Sequence, residues 1–556
     1  MDARNCNTLQ LSGSAVHEDA SPASSTRCYL LSIPLEILRC ILEFALLTGE
    51  LPKLAVTCRV LNLLATEILY RTVNINTSFS GFFINQIESL LSVNHPGLQL
   101  IKRLMIQDLY NSSDHDRPEG LHPDELARLG RPVMEMHLRL LLRRLKPGQL
   151  REFHILTHRE GALKNIPRDL LDQLAQVKHL SLSAEIFGEC DWMTYSETGF
   201  REVESLRLTN ICRLDDFVLL WKFLEKNSSS LDKLYISGIY RHTEITWDLA
   251  SLVNEDPVFR TNLSDILPKL QNMRTDLHLA NLRCLRIRRI ASLQILREVS
   301  CNHVFNLQNL QMLRLDSCLD ADSFILEIAR GKQAPNLRSL QLFDSCHSDT
   351  LREAIPMMQP LETLYLCPSY PPRGSPKPLS LNILDNHKGS LRRIRIEDHQ
   401  FPILAPNIGA AGSRVDLSVF LKVEEIAIVI GKISRLDCVK FPVTMRLLRI
   451  LDLPYTYETN DILGYVLLAA KNHVAHSNGR KPALSVVSVG SYRHYIDIQE
   501  CADADDRLEL LVGYERDEGM GWNPVLTEVE TKALEEKHPE FDIVHEEAPE
   551  GVWQPV

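Results

Sequence analysis

The chain has 556 residues, 44% hydrophobic and 24% charged, which leaves room for several compact domains or one elongated array and excludes wholesale disorder. Its net charge of −11 is uneven: residues 497–550 carry 18 acidic and 4 basic side chains, a net of −14, so the rest of the chain stands near +3. The acidity belongs to a C-terminal segment and gives the body no strong electrostatic class.

The first 28 residues, rich in Ser, Ala, Asp and Asn, lack a basic region followed by an apolar run. They read as a disordered leader, not a secretory signal. No uninterrupted apolar stretch of about 18 residues occurs, so no membrane-spanning helix is expected. The 13 cysteines include no CxxC pair. In a chain with no export signal they are expected to be reduced thiols, several of them buried. A cytoplasmic or nuclear protein is the expectation.

Residues 29–76 differ in pattern from everything that follows. Pro34 suits the first turn of a helix, and Glu36 sits near its positive end. Ile37, Ile41 and Phe44 fall on one face, with Leu38 and Leu42 beside it. After Gly49 a second run places Val60, Leu61, Leu64 and Ile68 on a common face. Short helices in about 45 residues do not build a large core alone, so this segment is expected to need a partner or a neighbouring module.

From residue 77 to 497 one pattern recurs: apolar, two others, apolar, one other, apolar. It reads VKHLSL from Val177, VESLRL from Val203, LDKLYI from Leu231, LRCLRI from Leu282, LQMLRL from Leu310, LRSLQL from Leu337, LETLYL from Leu361 and LRRIRI from Leu391. Weaker copies start at Ile101, Leu150, Val423, Leu448 and Leu484. Successive starts from Val177 to Leu361 lie 26, 28, 28, 27 and 24 residues apart, except that the gap from Leu231 to Leu282 is about two periods; this is the period and core of a leucine-rich repeat. The terminal L-x-L is a strand with one buried face, and helix-like stretches such as 167–176, 215–227, 322–331 and 460–476 lie between strands. The fold class is therefore α/β, a curved solenoid with a parallel sheet on its concave face. Cys318 and Cys346 follow the strands at a turn position and are expected to be buried packing residues.

With the repeats in place, the front segment resembles an F-box. Ile33-Pro34, Glu36-Ile37-Leu38, Ile41-Leu42, Thr57-Cys58-Arg59, Leu64-Ala65 and Leu69-Tyr70-Arg71 follow that family's motif. Ile33, Thr57, Leu61 and Tyr70 are conservative departures from it. The Leu-Tyr ending is similar to the form frequent in filamentous fungi, and an F-box followed by leucine-rich repeats is a recognised arrangement. The resemblance implies a substrate-recognition subunit of an SCF-type cullin–RING ubiquitin ligase. In such a subunit the F-box docks a Skp adaptor and the repeats bind the substrate; it is not itself an enzyme. Carried over residue by residue, Pro34, Ile37, Leu38, Ile41, Leu42, Leu54, Cys58, Leu61 and Leu69 would form or support the adaptor interface. The alternative is a non-ligase scaffold or inhibitor whose N-terminal helices only cap the solenoid.

No GxxxxGK[ST], HExxH, GxSxG or strand-borne GxGxxG occurs, so no active site, cofactor or metal is expected. The pairs His154/His158 and His473/His476 lack further ligands at metal spacing and read as satisfied or solvent-facing histidines. The residue between the last two apolar positions of each repeat should point from the concave face. These are Ser181, Arg207, Tyr235, Arg286, Arg314, Gln341, Tyr365, Arg395, Ala427 and Asp452, with Arg288 beside them. Arg207, Tyr235, Arg286, Arg288, Arg314, Tyr365 and Arg395 thus form a candidate substrate surface for an acidic or phosphorylated segment. The other reading is that the arginines are solvated or paired with local acids such as Asp316 and Glu397. A body charge near +3 with no basic aromatic motif argues against nucleic acid. The segment 498–556 reads as a solvated acidic extension with a short helix around Glu528 to Lys537; folding back as a competitor on the concave face is the other possibility.

Overall fold

The computed structural model describes residues 33–47, 51–76, 87–92, 95–107, 136–156, 174, 176–183, 200, 202–211, 220, 223–238, 279–290, 307–318, 321–331, 334–369, 379, 381–397, 415–428, 439–450, 486–489, 494–497, 514–517 and 521–524. The leader, the expected helix at 460–476 and the acidic extension outside one hairpin lie outside these residues. The chain divides into two compact units, Met1–Ile68 and Leu69–Val556.

The first unit carries three helices, α1 (Leu35–Leu47), α2 (Leu51–Ala55) and α3 (Arg59–Arg71). Leu38, Leu42, Leu51, Leu61, Leu64 and Ala65 are buried. The i, i+4 pair Leu38 and Leu42 sets the inward stripe of α1, as helical periodicity requires.

The second unit is one open sheet. Its strands are β1 (Thr72–Asn76), β2 (Arg103–Gln107), β3 (Glu152–Leu156), β4 (His179–Ser183), β5 (Ser205–Ile211), β6 (Lys233–Gly238), β7 (Cys284–Arg288), β8 (Met312–Asp316), β9 (Ser339–His347), β10 (Thr363–Ser369) and β11 (Arg393–Ile396). After them, β12 (Val415–Asp416) pairs with β14 (Val439–Lys440) in a separate ladder, while β13 (Glu425–Ile428), β15 (Leu447–Ile450), β16 (Val486–Val489) and β17 (His494–Asp497) continue the main sheet. Neighbours pair in parallel from β1 to β16, and β17 returns antiparallel to β16. In the acidic extension, β18 (Tyr514–Asp517) and β19 (Gly521–Pro524) form a hairpin.

Parallel neighbours need crossover connections, and among the described residues two of these are helices between consecutive strands. α4 (Ala321–Gly331) links β8 to β9 and buries Phe324, Ile325 and Ile328; α5 (Ser348–Met357) links β9 to β10 and buries Leu351 and Ile355. A layer of strands about 4.8 Å apart is narrower than a layer of helices about 10 Å apart, so the sheet lines the inner face of a leucine-rich-repeat solenoid. Register keeps the apolar rows aligned: Leu206, Leu234, Leu285, Leu313, Leu340 and Leu364 are successive partners. Each is at most 3% exposed, and they belong to one continuous core running from Ile75 to Leu448.

One frame differs from expectation. The repeat read from Leu448 places its strand at Leu451-Asp452-Leu453, but the strand is Leu447–Ile450, with Leu448 opposite Ile426 and Ile450 opposite Ile428. The buried Met445 takes the first apolar position. A run of alternating apolar residues permits two frames; pairing with β13 selects the earlier. Arg449, as the partner of Ala427, takes the position in the concave row that the sequence assigned to Asp452, which lies outside the described residues.

Side chains bond across repeats where backbone pairing ends. Asn281, Asn309 and Asn336 each precede the first leucine of a repeat, and each Nδ2 donates to a carbonyl of the preceding repeat: Ser229 at 2.5 Å, Ala280 at 2.7 Å and Gln308 at 2.7 Å. Replacing Asn309 with Ala is expected to destabilise the adjoining repeats by about 1 kcal/mol, the net worth of one such bond. The check is the urea midpoint.

His387 performs a related task from inside the core. The Leu361 N–H donates to Nδ1 at 3.1 Å, and Nε2 donates to the Ile355 carbonyl at 2.9 Å, which fixes the neutral ring. Burial holds its pKa below the usual histidine value. The unfolded chain then binds the extra proton first, so this contribution to stability is complete above about pH 6.5 and falls as the pH drops below it. Replacing His387 with Gln should flatten the stability profile between about pH 6.5 and 5 relative to wild type, as measured by urea unfolding at each pH.

Candidate functional site

Two surfaces carry side chains that the core does not use. On the helical unit, the Leu38 N–H donates to the Pro34 carbonyl at 3.0 Å, starting α1 at the proline. The Thr57 hydroxyl donates to the Leu54 carbonyl at 2.7 Å, and Asn62 Nδ2 donates to the Ala55 carbonyl at 3.0 Å. Thr57 and Asn62 thus close the end of α2 and fix the step into α3. Arg39 and Glu67 pair at 3.1 Å and tie α1 to α3.

The nine front-segment residues separate into three groups. Pro34, Ile37 and Ile41 are exposed; Leu54, Cys58 and Leu69 are half-buried; Leu38, Leu42 and Leu61 are buried. Exposed Leu35, Val56, Val60 and Leu63 join the first group, with Leu63 at 62% and Ile37 at 52%. Leu35, Val56 and Leu63 are not singled out in the sequence, where the motif is followed, and Val60, placed there on one face with Leu61 and Leu64, is exposed while those two are buried.

On the solenoid, one row crosses the sheet at equal register: His154, Ser181, Arg207, Tyr235, Arg286, Arg314, Gln341, Tyr365, Arg395, Ala427 and Arg449. Arg286 and Arg314 are direct partners, and β7 extends far enough to include Arg288. Tyr365 is 2% exposed, so it offers a ligand no surface.

Most of the positive charge is already answered. Arg288 Nε lies 3.2 Å from Asp316, and Arg314 lies 3.8 Å from the same carboxylate. Arg314 also stands over the Phe343 ring at 4.7 Å and reaches Gln341 Oε1 at 3.5 Å. Arg395 pairs with Glu397 at 2.7 Å, and Arg207 covers the Tyr235 ring at 5.0 Å. The pairing with Asp316 and Glu397 that the sequence raised as the second reading holds for Arg288, Arg314 and Arg395.

A left-handed residue recurs at one repeat position in three successive repeats, directly after β7 and β8 and within β9. Arg289, Ser317 and Asp344 have φ of 51°, 51° and 45°, and the Arg289 and Ser317 N–H groups donate to Asp316 and Phe343 carbonyls. Burial, with Asp316 nearby, raises the Asp344 carboxyl above the usual carboxylate value.

Burial also acts on several thiols and one histidine. Burial pushes the Cys318 thiol up to about 11 and Cys367 to about 12, and raises Cys346 as well; buried protonated thiols are poor nucleophiles. His154 is lowered to about 4, first by burial and then by Arg103. Among the described residues, no group of three or more His, Cys, Asp or Glu could hold a metal, and no helix is long and apolar enough to cross a membrane.

No family model matches the chain, and no curated protein matches it. Twenty-one solved chains match, among them one from the crystal structure of the Rad7 and Elc1 complex in yeast. That chain is 13% identical, the match covers 77% of this chain and 96% of that one, and the TM-score is 0.28. A likeness at that score carries no argument; the class, a leucine-rich-repeat-like solenoid preceded by a small helical unit, rests on strand register.

Proposed function

We propose that the chain is the substrate-recognition subunit of an SCF-type cullin–RING ubiquitin ligase. Its helical unit docks a Skp adaptor, and the concave face of its repeats binds a protein substrate. The observation that carries this reading is the set of exposed apolar side chains Leu35, Ile37, Ile41, Val60 and Leu63 on helices whose sequence resembles an F-box. Apolar side chains in such numbers on so small a unit mark a surface completed by another chain. In this role the chain performs no covalent chemistry. It raises the local concentration of a substrate lysine beside a ubiquitin thioester carried elsewhere in the assembly, in the cytoplasm or the nucleus.

The test is capture of purified Skp adaptor by the purified full chain, followed by co-elution in gel filtration. Failure of a well-folded chain to capture the adaptor would leave the scaffold or inhibitor reading, with the helices serving as a cap.

A further inference from the structure

The residue before each strand of the main sheet stands on the rim where the strands begin. Arg71, Lys102, Arg151 and Lys178 precede β1 to β4. Backbone bonds join each to the next: the Lys102, Arg151 and Lys178 N–H groups donate to the Arg71, Lys102 and Arg151 carbonyls at 2.9, 2.8 and 2.8 Å. Four cationic residues therefore follow one another about 4.8 Å apart along the rim.

Farther along, the same rim answers its own charge. Arg283 pairs with Asp232 at 2.9 Å, Arg338 with Glu362 at 3.5 Å and Arg392 with Glu424 at 2.8 Å, each across neighbouring strands. In the basic stripe, Lys178 is held by Glu204 at 2.5 Å, and Arg71 has a further interaction of its own. Lys102 and Arg151 are exposed, and among the described residues no carboxylate pairs with either. The adjacent acid, Glu152, is turned to Arg103 at 3.3 Å and His154 at 3.6 Å. Like charges on adjacent strands repel.

The end of the sheet brings an acidic segment to this rim. β17 runs antiparallel to β16, so its last residue, Asp497, pairs with Val486, the first of β16. The C-terminal segment leaves the sheet on the side where the stripe lies. Within that segment, residues 535–550 carry seven acids and one base.

Reach decides which acidic stretch fits. β17 and β2 are thirteen strand spacings apart, about 60 Å along the sheet. From Asp497 to Glu535 there are 28 chain steps outside the β18–β19 hairpin, whose ends meet. That length spans up to about 95 Å. The cluster Asp503 to Asp506 ends nine steps from Asp497 and reaches only about 30 Å. Residues 108–135 also hold seven acids against three bases, but they leave β2 after Gln107, at the opposite rim.

We propose that residues 535–550 dock on Lys102 and Arg151 of the same chain, tying the C-terminal segment to the first repeats. The acidic stretch lies along the rim, across the strand entries, with its carboxylates on the ammonium and the guanidinium. The contact stands outside the concave row and is independent of the ligase reading.

The test is zero-length cross-linking of the purified full chain. A carbodiimide activates a carboxylate, a lysine amine in contact with it forms the amide, and mass spectrometry identifies the linked peptides. Lys178 with Glu204 is the internal control. Lys102 should link to a carboxylate within 535–550. Its yield should fall at least about fivefold from about 20 mM to about 500 mM NaCl, because exposed ion pairs are screened. Arg151→Gln, an exposed change, should lower the yield about threefold with circular dichroism unchanged, the worth of one exposed ion pair. Lys422, an exposed lysine nearer β17, should not link to that stretch. In a mixture of isotope-labelled and unlabelled chains, the links should stay within one copy.

The control link without any link from Lys102 would overturn the proposal. So would links from Lys102 to 108–135 or 500–518, equal linking by Lys422, or a yield unchanged by salt or by Arg151→Gln. Links joining labelled to unlabelled chains would overturn it in favour of a second copy.

Discussion

Replacing Ile37 with Asp is expected to weaken capture of the Skp adaptor by at least about a hundredfold while leaving circular dichroism and the thermal transition unchanged. The side chain is 52% exposed and shares a stripe of α1 with Ile41, so in the free chain the carboxylate stays in water and the core loses nothing. Against an apolar partner surface the same carboxylate is desolvated without a counter-charge. Each 1.4 kcal/mol of that cost is about tenfold in affinity, and an unpaired buried charge costs several kcal/mol. Leu63, 62% exposed on α3, provides an independent variant through Leu63→Asp. Leu61 is a poor site for the experiment despite its place in the motif. At 3% exposure it belongs to the core, and an aspartate there would unfold the helices and abolish capture whatever they bind. Capture at wild-type strength by both folded surface variants would end the docking reading.

The sheet was legible because its signal is local and repeated. An apolar triplet at fixed spacing identifies each strand wherever the register later places it, and the row from Ser181 to Ala427 follows from period-two alternation alone. Where several apolar residues adjoin, as in Met445 to Leu453, local spacing leaves two frames, and only the partner strand chooses between them. Which front-segment leucines face inward was hidden for a similar reason. Leu38 and Ile37 have comparable hydropathy and adjacent positions, and the packing of α1 against the other helices decides which is buried. The asparagine ladder at 281, 309 and 336 was present in the sequence as Asn-Leu before each strand, yet its meaning depends on carbonyls a whole repeat away. The same holds for charge: Asp316 is near Arg314 in sequence, but that it also takes Arg288 follows from register between β7 and β8.

Register also creates the one ion pair whose disruption should be most costly. Arg449 Nε lies 2.9 Å from Glu425 Oε1, each side chain 3% exposed, and Arg393 approaches the second carboxylate oxygen at 3.8 Å. Taking two such charges out of water is nearly offset by their attraction, so the pair itself adds little net stability. Removing one partner is different. Glu425→Gln keeps the shape but leaves the Arg449 guanidinium buried without its counter-charge, and the expected loss is about 3–5 kcal/mol. The double replacement Glu425→Leu with Arg449→Met removes both charges at similar volume and should recover wild-type stability to within about 1 kcal/mol. A solenoid yields segment by segment, so the urea transition should be read together with hydrogen exchange of the β13 and β15 amides, where the single variant should exchange faster than wild type and the double variant should not. If Glu425→Gln unfolds at the wild-type midpoint with unchanged exchange in those strands, water reaches the pair, and the C-terminal part of the concave face is open. If the single variant collapses and the double recovers, that part of the face is dry and the pair is a buried element of the sheet.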